Sequence, residues 1–305
     1  MPKQDLGYNQ PLYVLAFDHR ASFVKNMLGV TGQPDMDQVK QVVDFKNVIF
    51  EGFKRGVELG VPKAAAAVLC DEQFGDAVLR GARAAGFVFA ACTEKSGQKE
   101  FDFEYGEDFG VHLTEYAPTF AKALVRYNPK DNKDMNRRQL EKLKILSEYC
   151  RANHLKFLIE PLVAALPGQL EKVGGDQGRY DLEIRPKLMV EMVKQMQEGG
   201  VEPDVWKIEG LEDTAEYEAV VRQARSGGRD QVSAVILGRG ASDEQVEKWL
   251  KAASRAQGVV GFAIGRSIFH EALMKYKAAE FTREEAVEKI ANKYLHFYQV
   301  YTQNN

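Results

Sequence analysis

The chain predicts an α/β fold, a single (β/α)8 barrel, from three features. Eight short apolar runs are rich in β-formers, helix-length segments separate nearly all of them, and the alternation recurs about every thirty residues without sequence repetition. Right-handed β-α crossovers repeated eight times can close into a ring, and 305 residues is near the ~250 typical of such barrels. The surplus is assigned to an N-terminal lead, longer connections and two extra C-terminal helices at 270–280 and 283–300. An open doubly wound sheet would need a domain break. The Gly/Pro-rich connection 165–180 is too short for one and falls between two regular units, so one barrel unit is expected over 1–305.

The elements follow in order. LYVLAFD at 12–18 is a buried strand running into the charged triplet Asp18-His19-Arg20. Val39, Val42, Val43, Ile49, Phe50, Phe53 and Val57 recur at helical steps until Gly60 closes the pattern. A second strand at 65–70 ends in an acidic turn, a helix spans 76–86, and a third strand lies at 87–93. The connection 96–119 is irregular, and the fourth strand, 120–127, stops at Asn128-Pro129. A charged helix over 134–153 carries the stripe Leu140, Leu143, Leu146 and Cys150. Strands at 155–161, 203–209, 231–237 and 259–265 then alternate with helices at 184–199, 213–226 and 242–257.

Composition excludes several classes. The net charge of −3, from 41 Lys+Arg against 44 Asp+Glu, gives no global field for nucleic acid or anionic lipid. No apolar stretch is long enough to span a membrane, and the first ten residues lack a signal-peptide core. A cytoplasmic protein is therefore expected. Cys70, Cys92 and Cys150 lack metal spacing and read as reduced core thiols. The five histidines form no zinc pattern, and no GxGxxG follows the first strand, so no cofactor is expected.

Chemistry in such a barrel collects where strands open into their C-terminal loops. Lys207, between apolar β-formers in VWKI, is costly to bury charged and is a candidate imine-forming nucleophile. The competing reading turns it outward, with its head at solvent. Lys122 is the expected neighbouring ammonium that would favour a neutral Lys207. Glu160, at the end of an apolar run before Pro161, is a candidate proton carrier or a salt-bridge partner. Asp18 carries the same ambiguity, and His19 and Arg20 either hold a substrate anion or only start the first loop. LGRGAS (237–242) and IGRSIF (264–269) end the last two strands and combine close backbone approach with arginine donors. Gly238, Arg239, Gly240, Gly265 and Arg266 are therefore expected to bind phosphate. A Mg²⁺ site on Asp71, Glu72 and Glu160 is the alternative for a metal-dependent lyase, and a non-catalytic sugar-phosphate sensor is a further one.

Taken together, LAFDHR at 15–20, FLIEP at 157–161, VWKIEG at 205–210 and GFAIGRSIF at 261–269 resemble the class I aldolase barrels that cleave sugar phosphates. Tagatose-bisphosphate and sulfofructose-phosphate aldolases are examples. CDEQFG at 70–75 and the AFDHR opening are most similar to the aldolase-like domain fused behind 5-dehydro-2-deoxygluconokinase in inositol catabolism. The resemblance implies that Lys207 is the Schiff-base lysine, Glu160 the acid/base, Lys122 the lysine near the carbonyl and Asp18 the first-strand acid. It also implies phosphate binding at Gly238, Arg239, Gly265 and Arg266. The implied reaction is cleavage of a phosphorylated ketose or keto-acid. One such substrate is 2-deoxy-5-keto-gluconate 6-phosphate, which gives dihydroxyacetone phosphate and malonate semialdehyde. The implied partner is a small phosphorylated molecule, with a homo-oligomer left open. The connection 96–119 departs from the sugar-bisphosphate enzymes, which leaves the aldehyde side unassigned.

Overall fold

A computed structural model describes residues 6–303. Strands β1 (Leu12–Ala16), β2 (Ala66–Cys70), β3 (Val88–Cys92), β4 (Phe120–Arg126), β5 (Lys156–Leu162), β6 (Val205–Glu209), β7 (Ser233–Leu237) and β8 (Val259–Ile264) pair in parallel in chain order. Because β8 pairs back onto β1, the sheet closes into a TIM barrel. Each strand lies within one or two residues of its expected span. The main difference is at β1, which ends at Ala16 and leaves Phe17 and Asp18 in the following loop.

The outer layer comprises α1 (Ala21–Leu28), α2 (Met36–Leu59), α3 (Glu72–Ala84), α4 (Phe109–Tyr116), α5 (Lys133–Ala152) and α6 (Pro167–Glu171). It continues with α7 (Gln177–Glu183), α8 (Arg185–Glu198), α9 (Thr214–Arg225), α10 (Asp243–Ser254), α11 (Arg266–Lys277) and α12 (Arg283–Thr302). Four of these are not read from periodicity: α1, α4, α6 and α7 have eight residues or fewer, too short for a helical repeat to emerge. Two others start earlier than expected. Helix α3 begins at Glu72 because the Asp71 carboxylate accepts the Phe74 amide at 2.9 Å as an N-cap. Helix α11 begins at Arg266, directly after the last strand.

Side chains alternate across each strand, so the ring has two apolar layers. Leu12, Val14, Leu69, Phe120, Leu158, Val205 and Val235 fill the interior. Their neighbours, among them Leu15, Val68, Phe157, Trp206 and Ile236, pack outward against the helices. Tyr8 from the N-terminal lead meets Phe120 edge-on at 5.0 Å, part of the interior floor at the N-terminal ends of the strands. The last helix belongs to the outer ring. Helix α12 packs on α2, α10 and α11, and its Tyr294 and Tyr301 hydroxyls donate to the carbonyls of Tyr13 at 2.6 Å and Val259 at 3.0 Å.

Those bonds tie α12 to the first and last strands. Replacing Tyr294 by Phe keeps the ring and removes one donor. The expected loss is about 0.5–1.5 kcal/mol of unfolding free energy in urea titration; an unchanged midpoint would contradict that role.

Candidate active site

Strand alternation determines which polar side chains enter the barrel. Lys207 follows interior Val205 by two residues, Glu160 follows Leu158, and Lys122 follows Phe120. At β3 the same step leads from interior Ala90 to Cys92, and at β1 from Ala16 to Asp18. The outward reading of Lys207 is therefore corrected: its side chain is 3% exposed, and its Nζ stands 2.9 Å from Glu160 Oε1.

The polar groups form a chain across the ring. Glu160 Oε2 lies 3.0 Å from Lys122 Nζ, so one carboxylate bridges both lysines. Lys122 also reaches Asp18 Oδ2 at 2.6 Å and Glu94 Oε1 at 2.7 Å. Arg20 Nη2 is 3.9 Å from the same Glu94 oxygen, while its Nη1 pairs with Glu104 at 2.7 Å. The Cys92 thiol lies 3.7 Å from Asp18 Oδ2, so it belongs to this cluster rather than to the plain core. Burial pushes that thiol well above its ordinary pKa, and Glu94 and Asp18 add to the effect, so it is not a thiolate nucleophile.

Three further groups show how charge is distributed. Burial disfavours the Lys122 ammonium, but Asp18, Glu94 and Glu160 outweigh it and hold its pKa well above the usual lysine value. Burial also acts against the Glu160 carboxylate, yet Lys207 and Lys122 keep its pKa below the ordinary range. His19 goes the other way. Desolvation lowers its imidazole, with Lys207 and Lys122 adding to the effect against Asp18 and Glu160.

Two cavities open above the cluster at the C-terminal ends of the strands. One, of about 320 Å³, is lined by Lys207, Glu160, His19 and Arg126 together with Gly238, Arg239, Gly240, Gly265 and Arg266. The other, of about 140 Å³, is lined by Asp18, Glu94, Lys95, Arg20 and the loop 96–98, and shares His19, Leu124, Arg126 and Glu160 with the first. Both glycine-arginine segments thus meet the Lys207 cavity. Close backbone approach requires glycine at 265, and positive φ favours it at 240. A Cβ at Gly265 would lie 2.0 Å from the Ala16 carbonyl oxygen, and one at Gly240, where φ is +70°, would lie 2.7 Å from the Arg266 guanidinium carbon. Arg266 Nη2 donates to the Arg239 carbonyl at 2.8 Å, which joins the two loops.

Several expected residues are placed elsewhere. Lys122 is fully buried, lines neither cavity and does not face Lys207 directly, because Glu160 lies between them. Its ammonium stands among Asp18, Glu94 and Glu160. Arg20 is engaged with Glu104 and the Glu94 carbonyl, away from the arginine loops. The magnesium alternative is not assembled. Asp71 is paired with Lys46 and caps α3, and Glu72 accepts from His112 Nδ1–H at 2.8 Å, so neither converges on Glu160. Among the described residues the metal-capable group is Asp18, Cys92 and Glu94. The Lys122 ammonium already fills the cation position beside both of those carboxylates.

Other residues enter the site without having been assigned a role from the sequence. Glu94 is visible in the sequence as a charge at the end of the third strand, and it continues the alternation from Ala90 and Cys92. Glu209 continues that from Val205 and Lys207, and it lies 3.3 Å from Arg239 and 3.2 Å from Arg185. Fully buried Lys46 of α2 bonds the Phe17 carbonyl at 2.9 Å and the His19 carbonyl at 3.2 Å, fixing the first loop. In a pH titration followed by NMR, His19 is expected to protonate below its ordinary value of 6.5. Titration at or above that value would contradict the environment described.

Known proteins bear on this geometry only coarsely. No curated protein matches the chain. The crystal structure of Cgl0159 from Corynebacterium glutamicum is similar at 17% identity and a TM-score of 0.56, covering 94% of this chain and 86% of that one. At that identity the likeness is one of fold alone. A family model described as an uncharacterized protein conserved in bacteria, DUF2090, matches residues 5–305, and the chain belongs to that family.

Proposed function

We propose that this barrel is a class I aldolase that cleaves a phosphorylated ketose or keto-acid through an imine on Lys207. One observation carries the reading: an inward-facing lysine amine, 2.9 Å from Glu160, lines the cavity formed by both arginine loops. Moving a proton from Lys207 to Glu160 neutralises both partners and leaves the net charge of the buried cluster unchanged. The amine can then attack the substrate ketone without exporting charge. The same Glu160 proton is suited to the departing hydroxyl when the carbinolamine loses water. The protonated imine next accepts the electron pair of the breaking C–C bond as an enamine, and an aldehyde leaves. Protonation of the enamine carbon and hydrolysis of the imine release the second product and restore the lysine.

The remaining residues divide the work. Arg239, Arg266 and the amides near Gly238, Gly240 and Gly265 suit a phosphate on the Lys207 side. Asp18 and Lys122 hold the proton-bearing groups in place from below. Resemblance in the AFDHR and CDEQFG segments favours 2-deoxy-5-keto-gluconate 6-phosphate as substrate, in cytoplasmic inositol catabolism. The smaller cavity would then receive the aldehyde half, malonate semialdehyde.

Borohydride reduction with dihydroxyacetone phosphate, followed by peptide mass analysis, is expected to place a stable adduct on Lys207. Lys207→Ala should abolish the adduct while circular dichroism stays native. An adduct on another lysine, or none, would refute the reading. EDTA should leave cleavage intact, whereas a metal-dependent lyase would lose it. Arg266→Ala removes charge-assisted hydrogen bonds worth about 1.5–3 kcal/mol, so KM for the phosphorylated substrate should rise about 10–100-fold with a smaller change in kcat. An unchanged KM would remove Arg266 from the phosphate site.

A further inference from the structure

Cleavage of the C–C bond requires a base for the hydroxyl proton on the carbon that becomes the aldehyde. Glu160 is poorly suited to that task. Its two oxygens are taken up by the nitrogens of Lys207 and Lys122, at 2.9 and 3.0 Å, which aims it at the nitrogen that forms the imine. His19 is placed differently. It lines both cavities and thus stands where the two halves of a substrate would meet.

The orientation of the ring follows from its surroundings. His19 Nδ1 is buried without a hydrogen-bond partner, 3.8 Å from Asp18 Oδ1, which is likewise buried and unpartnered. The side chain is nevertheless 36% exposed, which leaves Nε2 as the nitrogen open to the cavities. A small turn of the ring would let Nδ1–H donate to Asp18 and so fix the tautomer that presents Nε2 as an acceptor. Lys46 holds the backbone at this point through the His19 carbonyl at 3.2 Å.

We infer that His19 is the catalytic acid/base of the bond-breaking step, accepting the hydroxyl proton at Nε2 as the C–C pair moves into the imine. In the reverse direction the imidazolium returns that proton to the oxygen of the aldehyde being attacked. Glu160 keeps the earlier protons, those of amine activation and dehydration. This assignment rests on the imine reading and divides its proton transfers between two residues.

The test separates the two halves of the reaction. With dihydroxyacetone phosphate alone, His19→Asn should still give the borohydride adduct on Lys207. It should also exchange the hydroxymethyl hydrogen with D2O within about threefold of the unsubstituted protein, because neither event needs the aldehyde oxygen. Condensation of the same ketone with malonate semialdehyde should fall about 10²–10⁴-fold. In His19→Ala, added imidazole should restore part of the condensation rate, which a merely structural role would not allow. Condensation within threefold of normal in His19→Asn overturns the inference, as does loss of trapping and exchange together with condensation. Failure of the unsubstituted protein to trap dihydroxyacetone phosphate overturns the imine reading itself, and this assignment with it.

Discussion

The ammonium of Lys122, held inside the barrel by Asp18, Glu94 and Glu160, is the constraint on which the rest of the site depends. A lone charge in that position would be expelled or neutralised; three carboxylates keep it charged. Each carboxylate in turn is aimed by it. Asp18 is drawn in from the first loop, Glu94 from beyond the third strand, and Glu160 is fixed with one oxygen free to meet Lys207. Lys207 beside Glu160, and Arg20 between Glu94 and Glu104, extend the pairing to either side. A buried cluster of this kind adds little net stability, and removing one member leaves an uncompensated charge that costs about 3–5 kcal/mol. Its value lies in geometry.

That geometry divides the mouth of the barrel into two compartments with different chemistry. On the Lys207 side, glycines let backbone and arginine approach each other closely, as suits an anion. On the Asp18 side, loop 96–98 and Arg20 form a smaller and more enclosed space. Glu160, His19, Leu124 and Arg126 stand between them. A substrate laid across this divide would place its bond to be cleaved near two groups able to move protons, with a nucleophilic amine on one side.

The fold was legible because the strands are short, apolar and bounded, so the apolar runs between helix-length segments locate them within a residue or two. Lys207, Glu160 and Lys122 stand out in the sequence as charges within or at the end of apolar runs, and their inward facing follows from the interior apolar neighbour two residues before each. That alternation misleads where the chain leaves the strand. Asp71 keeps the interior parity of Ala67 and Leu69, but the backbone turns into α3 and the carboxylate becomes a cap. Arg20 keeps the parity of Asp18 in the same way, but lies in the loop and turns to Glu104. Lys46 and Arg185 enter from helices. Lys46 shares the helical face of Val42, Ile49 and Phe53, a visible sign of burial, yet its pairing with Asp71 depends on how α2 crosses β2. Which carboxylate meets which lysine is a property of the closed ring, and no local pattern encodes it.

The most direct test of the central claim is a crystal structure of the protein reduced with borohydride in the presence of dihydroxyacetone phosphate. The account requires continuous density from Lys207 Nζ to the former carbonyl carbon, phosphate against Arg239 and Arg266, and Lys122 still ringed by its three carboxylates. Density joined to Lys122, or phosphate lodged beside Arg20, would contradict it.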